Sequence, residues 1–183
     1  MDDIKLSEVL KTDRPIVLIG MMGCGKTTIG MALAQSLGCA FYDTDSEIEK
    51  DQGISIAQIF ADHGESYFRN LETQNIEEGL KRDLCVISTG GGLVTTPKNL
   101  DMIKGNAVSI WLQSDVAMIL ERLEGDDTRP LLKGGDAENK LLGLLKAREP
   151  LYSKADIHVK NDGDIETVIQ NTLQQLGEYN ENT

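Results

Sequence analysis

Basic residues are scarce in this chain. Its 183 residues include 18 Lys and Arg against 30 Asp and Glu, which gives a formal net charge of −12. Such an excess of acid opposes binding to the phosphate backbone of nucleic acids and to anionic membranes. We therefore expect no nucleic-acid or membrane partner, and an anionic ligand must be met by a local cluster of basic side chains.

Cysteine is also rare, and long apolar runs are absent. The three cysteines, Cys24, Cys39 and Cys85, have no C-x-x-C spacing, so they indicate neither a disulfide framework nor a zinc site. No apolar stretch approaches the ~18 residues of a membrane helix, and residues 1–3, Met-Asp-Asp, carry acid where a signal peptide would carry positive charge. The length fits one domain with one core. We expect a monomer in the cytoplasm.

A glycine-rich pattern follows the first apolar run. Residues 16–19 read Ile-Val-Leu-Ile, and residues 20–27 match G-x-x-x-x-G-K-[ST], which predicts a strand, a phosphate-binding loop and a helix in that order. Gly20, Gly23 and Gly25 allow the backbone N–H groups to turn toward phosphate oxygens. The pattern indicates a nucleoside triphosphate ligand.

The side chains of this loop fit the same interpretation. Lys26 opens a helix whose N-terminus faces the phosphates, and Thr27, with Thr28 beside it, is placed to ligate Mg²⁺. We interpret Cys24 as a small side chain that fills the loop. A reactive thiolate, favoured near a helix N-terminus, is the alternative.

Strand-like runs alternate with helical segments, which predicts a parallel α/β sheet. The crossover over 43–83 is too long for one helix and is expected to form a small helical subdomain. Ligands bind at the carboxyl ends of such strands, so the loops after the first three strands should meet in one crevice. The expected strands are 16–19, 40–42, 84–88, 107–112 and 156–159, and the helical patterns within the crossover are 46–50, 55–62 and 65–81.

Three further segments have a distinct composition. Residues 124–135 place glycines at both ends of a charged stretch between two helical segments, which is typical of a hinged lid, although an ordinary surface loop has the same composition. Residues 1–14 and 178–183 read as polar termini.

The G-K-T loop alone does not separate a kinase from a GTPase or a motor ATPase. The chain contains no Asp-x-x-Gly, and the pair Asn139-Lys140 is not followed by the aspartate of an N-K-x-D motif. These absences disfavour a GTPase.

Two aspartates end the second predicted strand. A spacing of two on extended backbone would point Asp43 and Asp45 to the same side, where Asp43 could orient a magnesium shell and Asp45 could accept a hydrogen bond from a substrate hydroxyl. The alternative is that Asp43-Thr44-Asp45 forms a turn and helix cap, which could hold at the same time.

Four of the six arginines lie near the predicted crevice: Arg69, Arg122, Arg129 and Arg148. Arginine grips a carboxylate or phosphate through two hydrogen bonds, so this placement in an acidic chain suggests an anionic substrate. Arg69 and Glu72 also fit a simple surface ion pair three residues apart on a helix.

Three successive glycines, Gly90, Gly91 and Gly92, follow the third strand at the same end of the sheet. Such a run lets ligand oxygens approach the backbone, although it could also be a flexible connection. No aspartate ends this strand where many nucleotide hydrolases keep one, so Asp43 is the candidate in its place.

Taken together, the motifs from residue 15 to about 160 resemble those of the shikimate kinases. These are the phosphate loop, Asp-Thr-Asp, Phe68-Arg69 with Glu72, the triple glycine, and two arginine motifs read as Arg-Pro-Leu-Leu at 129–132 and Arg-x-Pro-Leu-Tyr at 148–152. The motifs occur in family order and at family-like spacing.

The resemblance implies a three-layer P-loop kinase fold with a five-stranded parallel sheet, and phosphorylation of the 3-hydroxyl of shikimate by ATP in aromatic amino-acid biosynthesis. The implied nucleotide contacts come from the phosphate loop with Lys26, from Arg122 against the base and from the lid arginine, Arg129. Mg²⁺ would be held by Thr27 and, through water, by Asp43. The implied shikimate contacts are Asp45, Arg69, Gly90, Gly91, Gly92 and Arg148.

The loop over 160–164 departs from the family pattern, because it lacks the proline and the basic residue often found beside adenine. Two other functions stay open on the residues alone. One is a kinase of another polyol acid such as gluconate, and the other is an ATP-binding regulator without catalysis.

Overall fold

The computed structural model describes residues 14–123 and 136–182 of the chain. Five strands form one sheet in the order β2-β3-β1-β4-β5, and each neighbouring pair is parallel. The strands are β1 (Ile16–Ile19), β2 (Ala40–Asp43), β3 (Cys85–Ser88), β4 (Val108–Gln113) and β5 (Ile157–Lys160). The predicted parallel α/β sheet is confirmed, with every strand boundary within one residue of its predicted position.

Helices cover both faces of this sheet. Those within the described ranges are α1 (Lys26–Leu37), α2 (Thr44–Gln52), α3 (Ile56–Leu80), α4 (Pro97–Asn106), α5 (Val116–Leu123), α6 (Ala137–Tyr152) and α7 (Ile165–Glu181). A short 3-10 helix, Leu93–Thr95, follows the triple glycine.

Strand β1 lies at the centre of the sheet and is fully buried. Ile16 and Leu18 belong to the core on one face, which includes side chains of α1 and α7. Val17 and Ile19 belong to the core on the other face, with side chains of α3 and α4. A continuous apolar run suits a strand that is covered by helices on both sides, and it produces three layers.

Helices α2 and α3 have a small apolar cluster of their own. Ile48 of α2 packs with Ile59 and Phe68 of α3, apart from the two main cores. Helix α3 is interrupted at Gly64, where φ is 79° and ψ is 175°, between the two helical patterns predicted for this stretch. A left-handed φ favours glycine, so this residue allows the change of direction.

Two predicted features lie outside the described residues: the lid over 124–135, which includes Arg129, and residues 1–13 of the N-terminal extension. Within the described ranges, no helix is both long and apolar enough to cross a membrane.

Candidate active site

The phosphate loop occupies the carboxyl end of β1, at the middle of the sheet. Gly20, Gly23 and Gly25 all have positive φ, of 146°, 74° and 89°. A Cβ on Gly20 would lie 2.6 Å from the carbonyl oxygen of Leu112, so the close approach to β4 also requires glycine. The loop therefore depends on its glycines for both conformation and space.

The ammonium of Lys26 is folded back onto this loop. Its Nζ donates to the carbonyl oxygens of Gly20 at 2.9 Å and Met21 at 2.8 Å, and the residue is only 7% exposed. The side chain of Cys24 is fully buried beneath it, with its Sγ 3.7 Å from Nζ. The positive charge of Lys26 is thus hydrogen-bonded to neutral carbonyl groups. Phosphate oxygens could replace these carbonyls as its acceptors.

Asp43 connects the phosphate loop with helix α2. The hydroxyl of Thr27 donates to Oδ2 of Asp43 at 2.9 Å. The other carboxylate oxygen, Oδ1, accepts from the backbone N–H groups of Asp45 and Ser46 at 3.1 Å each, which makes Asp43 the N-cap of α2.

This capping corrects the predicted geometry of the two aspartates. The strand ends at Asp43 and the helix begins at Thr44, so Asp43 and Asp45 do not share extended backbone. The turn-and-cap alternative is confirmed for Asp43. Asp45 lies in the first turn of α2, and it approaches the triple glycine from there.

Thr27 and Asp43 offer oxygen donors that suit Mg²⁺, which usually takes one or two protein ligands and completes its shell with water and phosphate oxygens. Among the described residues, no group of three or more His, Cys, Asp or Glu side chains could hold a metal ion. The donors present fit Mg²⁺ bound together with a nucleotide better than a metal held by protein ligands alone.

Arg69 and Glu72 form a buried ion pair on α3. Nη1 of Arg69 donates to Oε2 of Glu72 at 2.6 Å, and the carboxylate is fully buried. The alternative of a surface ion pair between Arg69 and Glu72 is therefore wrong. The exposed carboxylate beside Arg69 is that of Glu65, which accepts from Nη2 of Arg69 at 2.9 Å. Burial raises the pKa of Glu72 to about 7, since loss of hydration outweighs the attraction of Arg69.

Glu72 had no role assigned from the sequence. Its Oε1 has no hydrogen-bond partner among the described residues, and a Cβ on Gly90 would lie 2.7 Å from this oxygen and 2.8 Å from Oδ1 of Asp45. The two carboxylates therefore meet at Gly90. A carboxylate one turn from a candidate substrate-binding arginine is the sequence signal that could have drawn attention to it.

The three glycines make room for the site. A Cβ on Gly92 would lie 2.7 Å from Cζ and from Nη2 of Arg69, and one on Gly91 would lie 2.9 Å from the backbone nitrogen of Met22. None of these three glycines is among the described glycines with positive φ. Gly90, Gly91 and Gly92 are thus needed for space and not for an unusual backbone conformation.

Arg148 reaches the same place from α6. It is 8% exposed, and its Nη1 donates to the carbonyl oxygen of Gly91 at 3.2 Å. The buried hydroxyl of Tyr152, a residue with no role assigned from the sequence, donates to the same oxygen. Gly91 therefore lies against both the phosphate loop and the arginine cluster.

The other side of the phosphate loop is supported by Asn161. Its Nδ2 donates to the carbonyl oxygen of Cys24 at 2.6 Å, and its backbone N–H donates to Gln113 at 2.7 Å. Nη1 of Arg122 lies 3.5 Å from Oγ of Ser114, close to this contact. The sequence interpretation of 160–164 overlooked Asn161, although a polar residue directly after a parallel strand is itself a signal.

The predicted crevice thus brings the described candidates together along one edge of the sheet. Asp45, Arg69 and Arg148 surround the triple glycine, while Lys26, Thr27 and Asp43 lie at the phosphate loop. Thr28 lies beside Thr27 in the first turn of α1, and both threonines are exposed.

A family model, curated proteins and solved structures match most of the chain. The family model for shikimate kinase matches residues 22–177. A protein of Ruegeria pomeroyi named shikimate kinase is 43% identical over 165 residues, which cover 89% of this chain and 85% of that protein. The solved structure of a shikimate kinase from Acinetobacter baumannii, in complex with shikimate, is 39% identical with a TM-score of 0.87, covering 93% of this chain and 96% of that one.

A gluconokinase from Sinorhizobium meliloti is also similar in structure. It is 18% identical with a TM-score of 0.64, covering 93% of this chain and 95% of that one, and this shows a common fold alone. The family model and the relatives at higher identity decide the assignment. The chain belongs to the shikimate kinase family.

Proposed function

We propose that this chain transfers the γ-phosphoryl group of ATP to the 3-hydroxyl of shikimate, giving shikimate 3-phosphate and ADP. Its membership of the family supports this reaction. The observation that carries the proposal is the contact at Gly91, where a Cβ would lie 2.9 Å from the phosphate loop and whose carbonyl accepts from Arg148. A phosphate site and a carboxylate site that share one glycine can bring donor and acceptor close together.

The nucleotide would bind at the phosphate loop. Lys26 would exchange its carbonyl partners for the β- and γ-phosphates, and the loop N–H groups would hold the remaining phosphate oxygens. Arg122 would stack on the base. Asn161 supports the loop on that side through the carbonyl of Cys24.

Thr27 and Asp43 would hold Mg²⁺, directly and through water. When bound, the ion neutralises charge on the phosphates. Asp43 keeps the hydroxyl of Thr27 oriented by its hydrogen bond. The same carboxylate caps α2, which ties the position of Asp45 to that of the phosphate loop.

Shikimate would bind on the opposite side of Gly91. Arg69 and Arg148 would form the clamp for its carboxylate, because guanidinium groups pair with carboxylates through two parallel hydrogen bonds. The triple glycine leaves room for the ring. Glu72, buried against Arg69, holds that guanidinium in place.

Asp45 would align the 3-hydroxyl for attack. In a loose phosphoryl-transfer transition state the attacking oxygen has little bonding to phosphorus, so orientation and charge neutralisation matter more than the strength of a base. Arg129, outside the described residues, would arrive with the lid to neutralise the transferring group, and closure would exclude water that could otherwise hydrolyse ATP.

We further propose that residues 43–83 act as the substrate-binding subdomain and that the enzyme is a cytoplasmic monomer. The small apolar cluster that α2 and α3 share, apart from the main cores, supports such a unit. Size-exclusion chromatography with light scattering tests the oligomeric state, and a mass near twice 20.1 kDa would contradict it.

The experiment for the reaction is release of ADP from ATP and Mg²⁺ with and without shikimate. We expect rapid release only with shikimate, and none with an analogue that lacks the 3-hydroxyl. The variant Lys26→Ala serves as the control for contaminating kinases, since it should lose the release. Faster release with gluconate or another polyol acid than with shikimate would instead identify a different acceptor.

A further inference from the structure

The carbonyl oxygen of Gly91 accepts two hydrogen bonds from one helix. The hydroxyl of Tyr152 donates to it at 2.5 Å and Nη1 of Arg148 at 3.2 Å. The two side chains are four residues apart on α6, so they lie on the same face of that helix. Both lone pairs of the carbonyl are therefore used, with the shorter bond to the tyrosine.

The tyrosine is enclosed on every side. Tyr152 is fully buried, and its ring stacks on Trp111 with the centroids 5.9 Å apart and the planes at 27°. Burial raises the pKa of its hydroxyl to about 12, so the group keeps its proton and acts as a donor. Among the described residues, the hydroxyl also contacts a weak sulfur acceptor, Sδ of Met21 at 4.0 Å, and the guanidinium of Arg148, which partly opposes the rise in its pKa.

The acceptor of this hydrogen bond lies between the two substrate sites. Gly91 lies against the backbone of the phosphate loop at Met22, and its neighbours Gly90 and Gly92 lie against Asp45 and Arg69. A movement of the Gly91 carbonyl would therefore change the position of Arg148 first, since the two are directly bonded.

We propose that Tyr152 is a positioning residue for Arg148, and that its hydroxyl does this by fixing the Gly91 carbonyl that both side chains share. By occupying this oxygen with the shorter bond, the tyrosine leaves Arg148 weakly held and available to a substrate carboxylate. Without the hydroxyl, the carbonyl becomes a stronger competitor for the guanidinium and is itself free to turn. The inference rests on the proposed function, because it takes shikimate as the carboxylate that Arg148 binds.

The variant Tyr152→Phe tests this, because it keeps the ring and its stacking and removes one hydroxyl. We expect the KM for shikimate to rise about five- to tenfold, in line with the loss of one buried hydrogen bond. The kcat and the KM for ATP should stay within about twofold of the parent. Tyr179→Phe, which removes a hydroxyl from α7, is the matched control and should leave all three constants unchanged.

A double-mutant cycle separates positioning from general destabilisation. In the Arg148→Ala background, Tyr152→Phe should change the shikimate KM by less than about twofold, because its effect passes through the missing arginine. A full additional five- to tenfold rise in that background would contradict the proposal. So would an unchanged shikimate KM in the single variant, or a single variant that fails to fold although its ring is retained.

The activity of the parent enzyme distinguishes a failure of the proposed function from a failure of the inference about Tyr152. If the parent shows no ADP release that depends on shikimate, the proposed function fails and the inference fails with it. If the parent is active and Tyr152→Phe leaves the shikimate KM unchanged, only the inference fails.

Discussion

The carboxylate of Glu72 is fully buried and accepts a 2.6 Å hydrogen bond from the guanidinium of Arg69, one turn earlier on α3. Its second oxygen faces Gly90 and Asp45. An ionised carboxylate without its partner would be costly at this depth, so loss of Arg69 alone should destabilise the fold.

Glu72 should make stability depend on pH. Burial raises its pKa from 4.5 to about 7, so between these values the folded protein binds a proton that the unfolded chain has released. This contribution to stability is complete below pH 4.5 and is lost as the pH rises through about 7. The melting temperature of Glu72→Gln, measured relative to the parent, should therefore rise between pH 5 and pH 8.

The exposed partner of the same arginine provides the control. Glu65→Gln removes a carboxylate that also bonds Arg69 but is 66% exposed, and its melting temperature relative to the parent should be flat over that range. A flat difference for Glu72→Gln as well would show that this carboxylate is ionised in the folded protein throughout.

Asp45→Asn keeps the shape of the side chain and removes its charge. We expect kcat to fall at least tenfold, about 1.4 kcal/mol in barrier, because the hydroxyl of shikimate loses its charged acceptor. Glu47→Gln is the matched control, since Glu47 also lies in the first turn of α2 and shares any effect on the helix dipole. Steady-state kinetics within about threefold of the parent would remove Asp45 from the mechanism.

Gly92→Ala should impair substrate binding more than folding. Its Cβ would lie 2.7 Å from Cζ of Arg69, the end of a flexible side chain that can move aside. We expect the shikimate KM to rise at least about tenfold, the loss of about one charged hydrogen bond, with a small change in melting temperature. A normal KM would show that Arg69 does not need its present position.

Substitutions at two other glycines serve as comparisons for Gly92→Ala. A Cβ on Gly91 would meet the backbone nitrogen of Met22 at 2.9 Å, so Gly91→Ala should lower the melting temperature as well. A Cβ on Gly105 would meet nothing within 4 Å, and Gly105→Ala in α4 should leave kinetics unchanged and stabilise by up to ~1 kcal/mol. Equal losses in all three variants would mean that the triple glycine has no special relation to the site.

Asn161→Ala should weaken nucleotide binding. The buried carbonyl of Cys24 would lose a 2.6 Å hydrogen bond, which costs on the order of 1–3 kcal/mol, and the loop would lose its support on the Arg122 side. We expect a rise of about threefold or more in the KM for ATP and a lower melting temperature, with the shikimate KM unchanged. Asp162→Ala, one residue further along the same loop, is the control, and an equal rise there would assign the effect to the loop as a whole.

The sheet could be predicted from the sequence because its central strand is one unbroken apolar run next to a phosphate-binding pattern. The position of Asp45 could not, since the rule that alternate residues share a face holds only while the strand continues. Asp43 ends the strand by capping α2, where its carboxylate accepts two hydrogen bonds from the backbone N–H groups of Asp45 and Ser46.

Other parts of the site depend on contacts between distant residues. Tyr152 and Gly91 are 61 residues apart, and Asn161 and Cys24 are 137 apart. No local sequence pattern indicates hydrogen-bond partners that lie so far apart in the chain. The spacing of Arg69 and Glu72 was visible, but it could not reveal that the carboxylate is buried, because burial depends on how α3 packs against the triple glycine.

The strand order divides the candidate contacts into two groups. β2 and β3, on one side of β1, lead into Asp45 and the triple glycine, while β4 and β5, on the other side, lead into Ser114 and Asn161. Acceptor specificity could therefore be redesigned on one flank of the sheet while nucleotide preference is left intact on the other. Arg148 is the exception, because it crosses from the second flank to Gly91. An engineered change of acceptor would have to accommodate this one residue without disturbing α6, which lies between β4 and β5 in the chain.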